Sequence, residues 1–357
     1  MGLFKIIIAE SRSYVKKRGE IGKFDNTLSS FVRKAKRRQA LRQWMTAILL
    51  GSIIPSLFMI PVEAIRLSKQ QYILFEEEQV KTNWDSSQLV LVQHDDQILR
   101  LSINEYLAGV LLAEMGPSFS MEALKAQAVV ARTYMLRWAE SGGRHNRCTI
   151  CTDHTCCQAW KSAEAYLSEG GTNAGLTKVR KAISETDGMV LRYDGRLIDA
   201  TYFSCSGGST EDAVAVWGTD VPYLRSTPSP GEEDAPPYSD TVCFTPQELM
   251  DALDRSLSGV PETWFGLPSY TAGGGVDQIE ICGMVYEGKS LRSLLGLRST
   301  AFTVMVEDGM INIETRGFGH RVGMSQYGAD AMAEKGADYQ EILCHYYNGV
   351  TLDFYGR

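Results

Sequence analysis

Two groups of residues in this sequence are placed to do chemistry: an acid inside an apolar stripe, and a knot of thiols with imidazoles. Ser102-Ile-Asn-Glu105 is a capping-box pattern, which starts a helix, and Leu107, Val110 and Leu111 then recur at helical spacing. Glu114 falls next on that stripe, where an amphipathic helix should carry an apolar side chain. The carboxyl is therefore expected to point at the protein interior or at a cleft floor. Burial disfavours the charged form, so the pKa of Glu114 should rise, as a general acid working near neutral pH requires. The competing reading is a helix-end Glu that escapes to solvent beside Met115-Gly116-Pro117.

The thiol knot is Cys148-Thr-Ile-Cys151-Thr-Asp-His154-Thr-Cys156-Cys157, with His145 just upstream. Adjacent cysteines rarely bridge each other, and thiolates with imidazole at short spacing suit tetrahedral zinc. The spacing is not that of a standard finger, and disulfides or free thiols are the alternative. All 8 cysteines follow residue 143, an even count that an oxidising space would turn into disulfides. Zinc at this position would be structural, because four protein ligands leave no open coordination position for a reacting water. Cys205, Cys243, Cys282 and Cys344 are scattered and read by default as small buried hydrophobes.

Two turns could hold a polar polymer. Tyr202-Phe-Ser-Cys-Ser-Gly-Gly-Ser-Thr210 gathers hydroxyls and an aromatic around a Gly-Gly turn, with Trp217 beyond; an ordinary solvated β-turn is the plainer reading. Arg316-Gly-Phe-Gly-His320-Arg-Val-Gly-Met-Ser-Gln-Tyr-Gly328 is a Gly-spaced loop that leads into a helix near Ala329, and its spacing is not that of a phosphate or dinucleotide loop. His320 stands among these glycines with Ser325, Gln326 and Tyr327 close behind.

These side chains need a scaffold. A second helix begins at Ser120, buries Met121, Leu124, Ala128, Ala131, Met135 and Trp138, and uses its alanines to approach the first helix closely. Lys125 and Arg132 lie off that stripe and read as solvated charges, or as holders of anionic groups. Strand signals at 190–205 and 302–315, and at Val276–Met284 and Ala301–Val306 in a smaller lobe near 245–300, give an α+β fold.

Charge divides the chain. Residues 1–43 hold 12 Lys/Arg and 3 Asp/Glu, +9, against 24 and 40 in the remainder, −16. The overall −7 argues against a general nucleic-acid binder. Trp44–Val62 is a 19-residue run with no formal charge, and as a helix it would cover roughly 28 Å, near the thickness of a bilayer's hydrocarbon core. With Arg33, Lys34, Lys36, Arg37, Arg38 and Arg42 before it, the positive-inside rule places the N-terminus in the cytoplasm. The organisation expected is a basic cytoplasmic arm (1–43), a single-pass anchor (44–62), a stalk (63–90) and an extracytoplasmic catalytic domain (91–357). A cleaved signal peptide or a buried core helix are the competing readings of the run.

The motifs together resemble the stage II sporulation protein D family. The likeness rests on Glu105-Tyr-Leu-Ala-Gly-Val-Leu-Leu-Ala-Glu114-Met and Glu122-Ala-Leu-Lys-Ala-Gln-Ala-Val-Val-Ala-Arg-Thr-Tyr134, then in order on Phe203–Trp217, Tyr223–Glu232, Leu294–Thr300 and Gly317–Ala329. It spans roughly residues 90–357. The resemblance implies a membrane-anchored peptidoglycan lytic transglycosylase that cuts between N-acetylmuramic acid and N-acetylglucosamine and leaves a 1,6-anhydro end. It implies Glu114 as the catalytic acid and Tyr202, Ser206, His320, Gln326 and Tyr327 as substrate-binding candidates. It also implies a zinc site of two Cys and two His. His145, Cys151 and Cys157 fall on it, while Cys156 occupies the second His position, so either Cys156 or His154 completes the set. Implied partners are glycan strands stripped of stem peptides, a sporulation amidase (stage II sporulation protein P) and membrane protein M of the same stage, acting during engulfment. A non-catalytic wall-binding or amidase-enhancing module is the alternative function, and a zinc hydrolase lacks an H-E-x-x-H or equivalent.

Overall fold

The computed structural model describes residues 84–356. A helical turn, Trp84–Ser87, enters a hairpin of β1 (Leu89–His94) and β2 (Gln97–Ser102), paired antiparallel from Leu89 opposite Ser102 to His94 opposite Gln97. β2 runs straight into α1 (Ile103–Glu114) through the expected capping box. The Ser102 hydroxyl accepts the Glu105 N–H, and the Glu105 carboxylate accepts the Ser102 N–H at 3.0 Å.

α2 (Met121–Glu140) is the central element. Ser120 takes the N-cap backbone conformation, but its N–H donates to Asp330 Oδ1 at 2.6 Å rather than its side chain capping the helix. From Ala123 to Leu136 most positions are buried, not one stripe alone, as befits a helix surrounded on all sides. Around it pack α1, α3 (Asn173–Glu185) and β3 (Met189–Tyr193), and from the far end of the chain α4 (Gln326–Glu334) and α5 (Tyr339–Tyr346). Alanines at 123, 126, 128 and 131, all fully buried, let these neighbours approach.

Arg132 is corrected by the structure. It is fully buried and not on the surface, and its Nε donates to Asp85 Oδ1 at 2.9 Å while Nη1 donates to the Met189 carbonyl at 3.1 Å. Asp85 is itself fully buried, and its N–H donates to Asp187 Oδ1 at 2.9 Å. The stretch expected to be stalk up to residue 90 therefore joins the folded domain by Trp84. Lys125 is half-buried and pairs with Glu122 at 2.8 Å and Glu185 at 2.7 Å.

A second hydrophobic core lies between residues 249 and 313, with Leu249, Trp264, Ile279, Ile281, Leu291 and Ile311 at its centre. Its sheets are antiparallel. β4 (Ser239–Phe244) pairs with β8 (Met310–Arg316), which also pairs with β7 (Phe302–Glu307); β5 (Val276–Ile281) lies between β6 (Met284–Glu287) and the short strand Ser269–Tyr270. The chain closes with β9 (Thr351–Phe354) beside β3. Helices on one core and antiparallel sheets on another make the α+β fold that the sequence predicts.

The expected anchor at 44–62, the basic arm and most of the stalk lie outside the described residues. Among the described residues no helix is long and apolar enough to cross a membrane. Of the scattered cysteines only Cys205 is fully buried; Cys243 and Cys344 are exposed and Cys282 is half-buried, against the default reading. Cys243 falls on the outer positions of β4, and Cys282 sits in the turn that follows β5.

Candidate active site and metal centre

Glu114 closes α1 half-buried, with both carboxyl oxygens engaged. Oε1 accepts the Ala159 N–H at 2.9 Å and the Tyr202 hydroxyl at 3.1 Å, and Oε2 faces Gln326 Nε2 at 3.5 Å. Burial raises its pKa above the ordinary Glu value; the donors Ala159, Tyr202 and Gln326, and the nearby His154, offset this only in part. The carboxyl is thus poised to hold a proton, while donors wait to steady the carboxylate once the proton leaves.

Each donor is brought there by a separate segment. The strand Met324–Ser325 pairs in parallel with Tyr202–Phe203, Met324 opposite Tyr202 and Ser325 opposite Phe203. That pairing sets the Tyr202 phenol and, one residue past Ser325, the Gln326 amide toward the same carboxyl. Gly323, at φ +85, makes the pairing possible: a Cβ there would fall 2.1 Å from the Thr201 carbonyl oxygen. The Ser325 hydroxyl accepts the Gly328 N–H at 3.2 Å, so α4 begins at Gln326, three residues before the expected start.

Behind Tyr202 runs a chain of donors and acceptors. Gln158, only 1% exposed, donates from Nε2 to the Tyr202 hydroxyl at 3.1 Å and accepts the Tyr106 hydroxyl at Oε1, 2.6 Å away. Burial, and then the neighbouring Glu114 and Tyr106, push the Tyr202 phenol well above its usual range, so it remains a donor. Sequence reasoning missed Tyr106, Gln158 and Ala159. Ala159 acts through its backbone, which leaves no side-chain signal. Gln158 carried one, since it directly follows Cys157.

The metal-ligand candidates do converge. His145, Cys151, Cys156 and Cys157 hold their ligand atoms within 4.8 Å of one another. A zinc tetrahedron with Zn–S bonds of ~2.3 Å has S···S edges of about 3.8 Å. Cys156 and Cys157 Sγ stand 3.8 Å apart, and His145 Nε2 lies 3.4 Å from Cys157 Sγ and 3.7 Å from Cys156 Sγ. This fits a closed, four-ligand metal site. His154 is exposed and outside the cluster, which leaves Cys156 as the fourth donor. Because Cys156 and Cys157 lead directly into Gln158 and Ala159, whatever fixes the thiols also fixes the N–H that holds Glu114 and the amide behind Tyr202.

The other expected binding residues scatter. Tyr327 is half-buried and packs on Phe119 with ring centroids 5.0 Å apart. Ser206 is fully buried and does not reach a cleft: its N–H donates to Glu232 Oε2 at 2.7 Å and its hydroxyl to Oε1 at 2.9 Å. His320 accepts the Val322 N–H at Nδ1, 3.1 Å away, and sits between Phe203 and Trp217. Burial, then the Arg292 charge, lowers its pKa to about 4, so it is neutral. It lines a cavity of about 180 Å³ with Glu211 and Arg292, to which Glu114 does not contribute. The neighbouring Arg321 is buried against Glu211 at 3.3 Å and donates to the carbonyls of Ser206, Ser209 and Gly273, which locks the Gly-rich loop in place.

Residues 93–193 match the family model described as a stage II sporulation protein. The chain is 39% identical over 256 residues to stage II sporulation protein D of Bacillus amyloliquefaciens, covering 71% of this chain and 74% of that protein. Its identity to stage II sporulation protein D of Bacillus subtilis (strain 168) is 35% over 262 residues, 72% of this chain and 76% of the other. An amidase enhancer of the same strain is 31% identical over 306 residues, 70% of this chain but 40% of that longer protein.

Proposed function

The chain belongs to the stage II sporulation protein D family, and from that membership we propose that it is a peptidoglycan lytic transglycosylase whose one catalytic group is Glu114. The observation that carries the reading is the Glu114 carboxyl: half-buried, raised in pKa by that burial, and met by three donors from three segments. Protonated Glu114 gives its proton to the glycosidic oxygen between N-acetylmuramic acid and N-acetylglucosamine as that bond breaks. The resulting carboxylate takes the proton of the muramic C6 hydroxyl as its oxygen bonds to C1. The proton is returned, no water is consumed, and a 1,6-anhydro ring closes. Since the sugar supplies its own nucleophile, a second carboxylate at glycosidase spacing is not needed.

The zinc that His145, Cys151, Cys156 and Cys157 would hold is structural, and supplies rigidity to the loop that carries Gln158 and Ala159. The setting we propose is the outer face of a membrane, with 44–62 as anchor, and the substrate is glycan from which an amidase, stage II sporulation protein P, has removed stem peptides, with membrane protein M as further partner. The likeness to an amidase enhancer keeps a non-catalytic module as the rival. Replacing Glu114 by Gln decides between them. The variant should fold and bind glycan but release no anhydro-ended product, read by mass spectrometry; anhydro ends at the wild-type rate would remove Glu114 from the mechanism.

A further inference from the structure

The four donors of the metal centre are three thiols and one imidazole. Loading zinc there exchanges three thiol protons for one dication, so a donor set that is neutral when empty carries one negative charge when filled. A partly desolvated site of that charge is disfavoured unless a cation stands against it. Arg144 is placed to be that cation. It precedes His145 in the turn that brings the imidazole to the thiols, and its N–H donates to the Thr149 carbonyl at 2.9 Å. Gly143 before it sits at φ +102, where a Cβ would fall 2.8 Å from the Cys148 carbonyl oxygen, so the turn is tight. The Arg144 guanidinium lies over the Trp138 ring, with Cζ 4.6 Å from the centroid, and hydrogen-bonds the Cys156 sulfur. The groups acting on its charge are the Cys156 and Cys157 thiols and the Tyr134 phenol. Arg137, which approaches the same ring at 5.9 Å, is instead paired with Asp199 at 3.4 Å.

We propose that Arg144 is a positioning residue for the metal: seated on Trp138, it supplies the counter-charge that lets three thiolates share one zinc. The inference rests on the reading that the four donors hold zinc, and it adds a fifth residue that touches a ligand and not the ion. Its logic is tied to Cys156. A neutral donor at that position would leave the filled site without net charge, and the guanidinium would then have nothing to offset. Because Cys156 and Cys157 lead into Ala159, whose N–H meets Glu114 at 2.9 Å, the same charge pair also steadies the loop beneath the carboxyl.

The test is the zinc affinity of the full-length chain in detergent, read near neutral pH by competition with a chromogenic chelator. R144Q should weaken zinc about tenfold, the lower end of what a lost outer-shell partner costs. The gap should close as salt is raised to about 1 M, where charges act over only ~3 Å, and R144K, which keeps the charge, should lose less. In a C156H background, where the filled site is neutral, adding R144Q should leave the affinity unchanged. Metal-free R144Q should melt together with metal-free wild type, which assigns the loss to the loaded state. Equal zinc affinity in R144Q, a loss that salt does not touch, or the same loss in the C156H background each overturns the role of Arg144 and leaves the four-donor site standing. A wild-type chain that takes up no zinc overturns the metal reading and this inference with it. No glycan enters these titrations, so the lytic reading is judged separately, by the product assay on the Glu114→Gln variant.

Discussion

Tyr202→Phe removes one oxygen from the middle of the site. That hydroxyl donates to Glu114 Oε1 at 3.1 Å and accepts from Gln158 Nε2, also at 3.1 Å. Its loss strands the Gln158 amide, which is 1% exposed, while the other end of that side chain keeps the Tyr106 hydroxyl at 2.6 Å. A stranded buried donor costs about 1–3 kcal/mol, so the variant should unfold ~2 kcal/mol more easily, or roughly 4–8 °C lower in Tm. The effect on Glu114 has a definite sign. The Tyr202 hydrogen bond lowers the Glu114 pKa against the upward push of burial, so deleting it lets the pKa climb further. The protonated acid then persists to higher pH, and the alkaline limb of kcat/KM should move upward even as kcat falls, because the carboxylate left when the proton is given up has lost a donor. The assay is a pH profile on purified glycan strands beside a urea melt. A melt that drops while the alkaline limb stays put or moves down would refute the claim that Tyr202 acts on the Glu114 proton.

Three further outcomes are expected. A strong chelator should release about one zinc per chain, lower the melting temperature and abolish cleavage, with restoration by zinc; a metal-free preparation of unchanged stability and rate would remove the metal from the scaffold. Arg132→Met leaves Asp85 buried without its partner and should cost about 3–5 kcal/mol by urea unfolding, while the double change R132M/D85L should recover part of that loss; equal costs for single and double variants would contradict the pairing. Because burial raises the folded-state pKa of Glu114, its favourable linkage to folding is full below the ordinary Glu range and disappears as pH rises through the raised value; Gln at this position, which cannot ionise, should therefore gain in stability relative to wild type between pH 4 and 8, and a gap independent of pH would deny the shift.

What could be read from the chain itself was whatever local periodicity carries. Glu114 was legible because it interrupts an apolar stripe, and the capping box at Ser102 because both partners lie within one turn. The cysteine cluster was legible from spacing alone. What stayed hidden depends on partners remote in sequence. Arg132 looked solvated because Asp85 is 47 residues away in a stretch that reads as stalk. Ser206 looked like a sugar ligand in a polar turn, yet Glu232, 26 residues on, takes both its N–H and its hydroxyl. A backbone donor such as Ala159 has no signature at all.

The arrangement around Glu114 suits the single-acid chemistry proposed above. One carboxyl must first release a proton and then reclaim one, so neither of its forms can be favoured too far. An apolar pocket alone would trap the proton, and a full set of donors alone would keep the group ionised. Here burial dominates and the donors oppose it, and those donors come from a helix N-terminus, a strand and the residues behind the thiols. Such a balance tolerates little drift: a fraction of an ångström at Ala159 or Tyr202 changes one side of it and not the other. That is a physical reason for the thiol–imidazole cluster and a locked Arg321 loop to flank the carboxyl without touching it, since both restrain the segments from which its donors project.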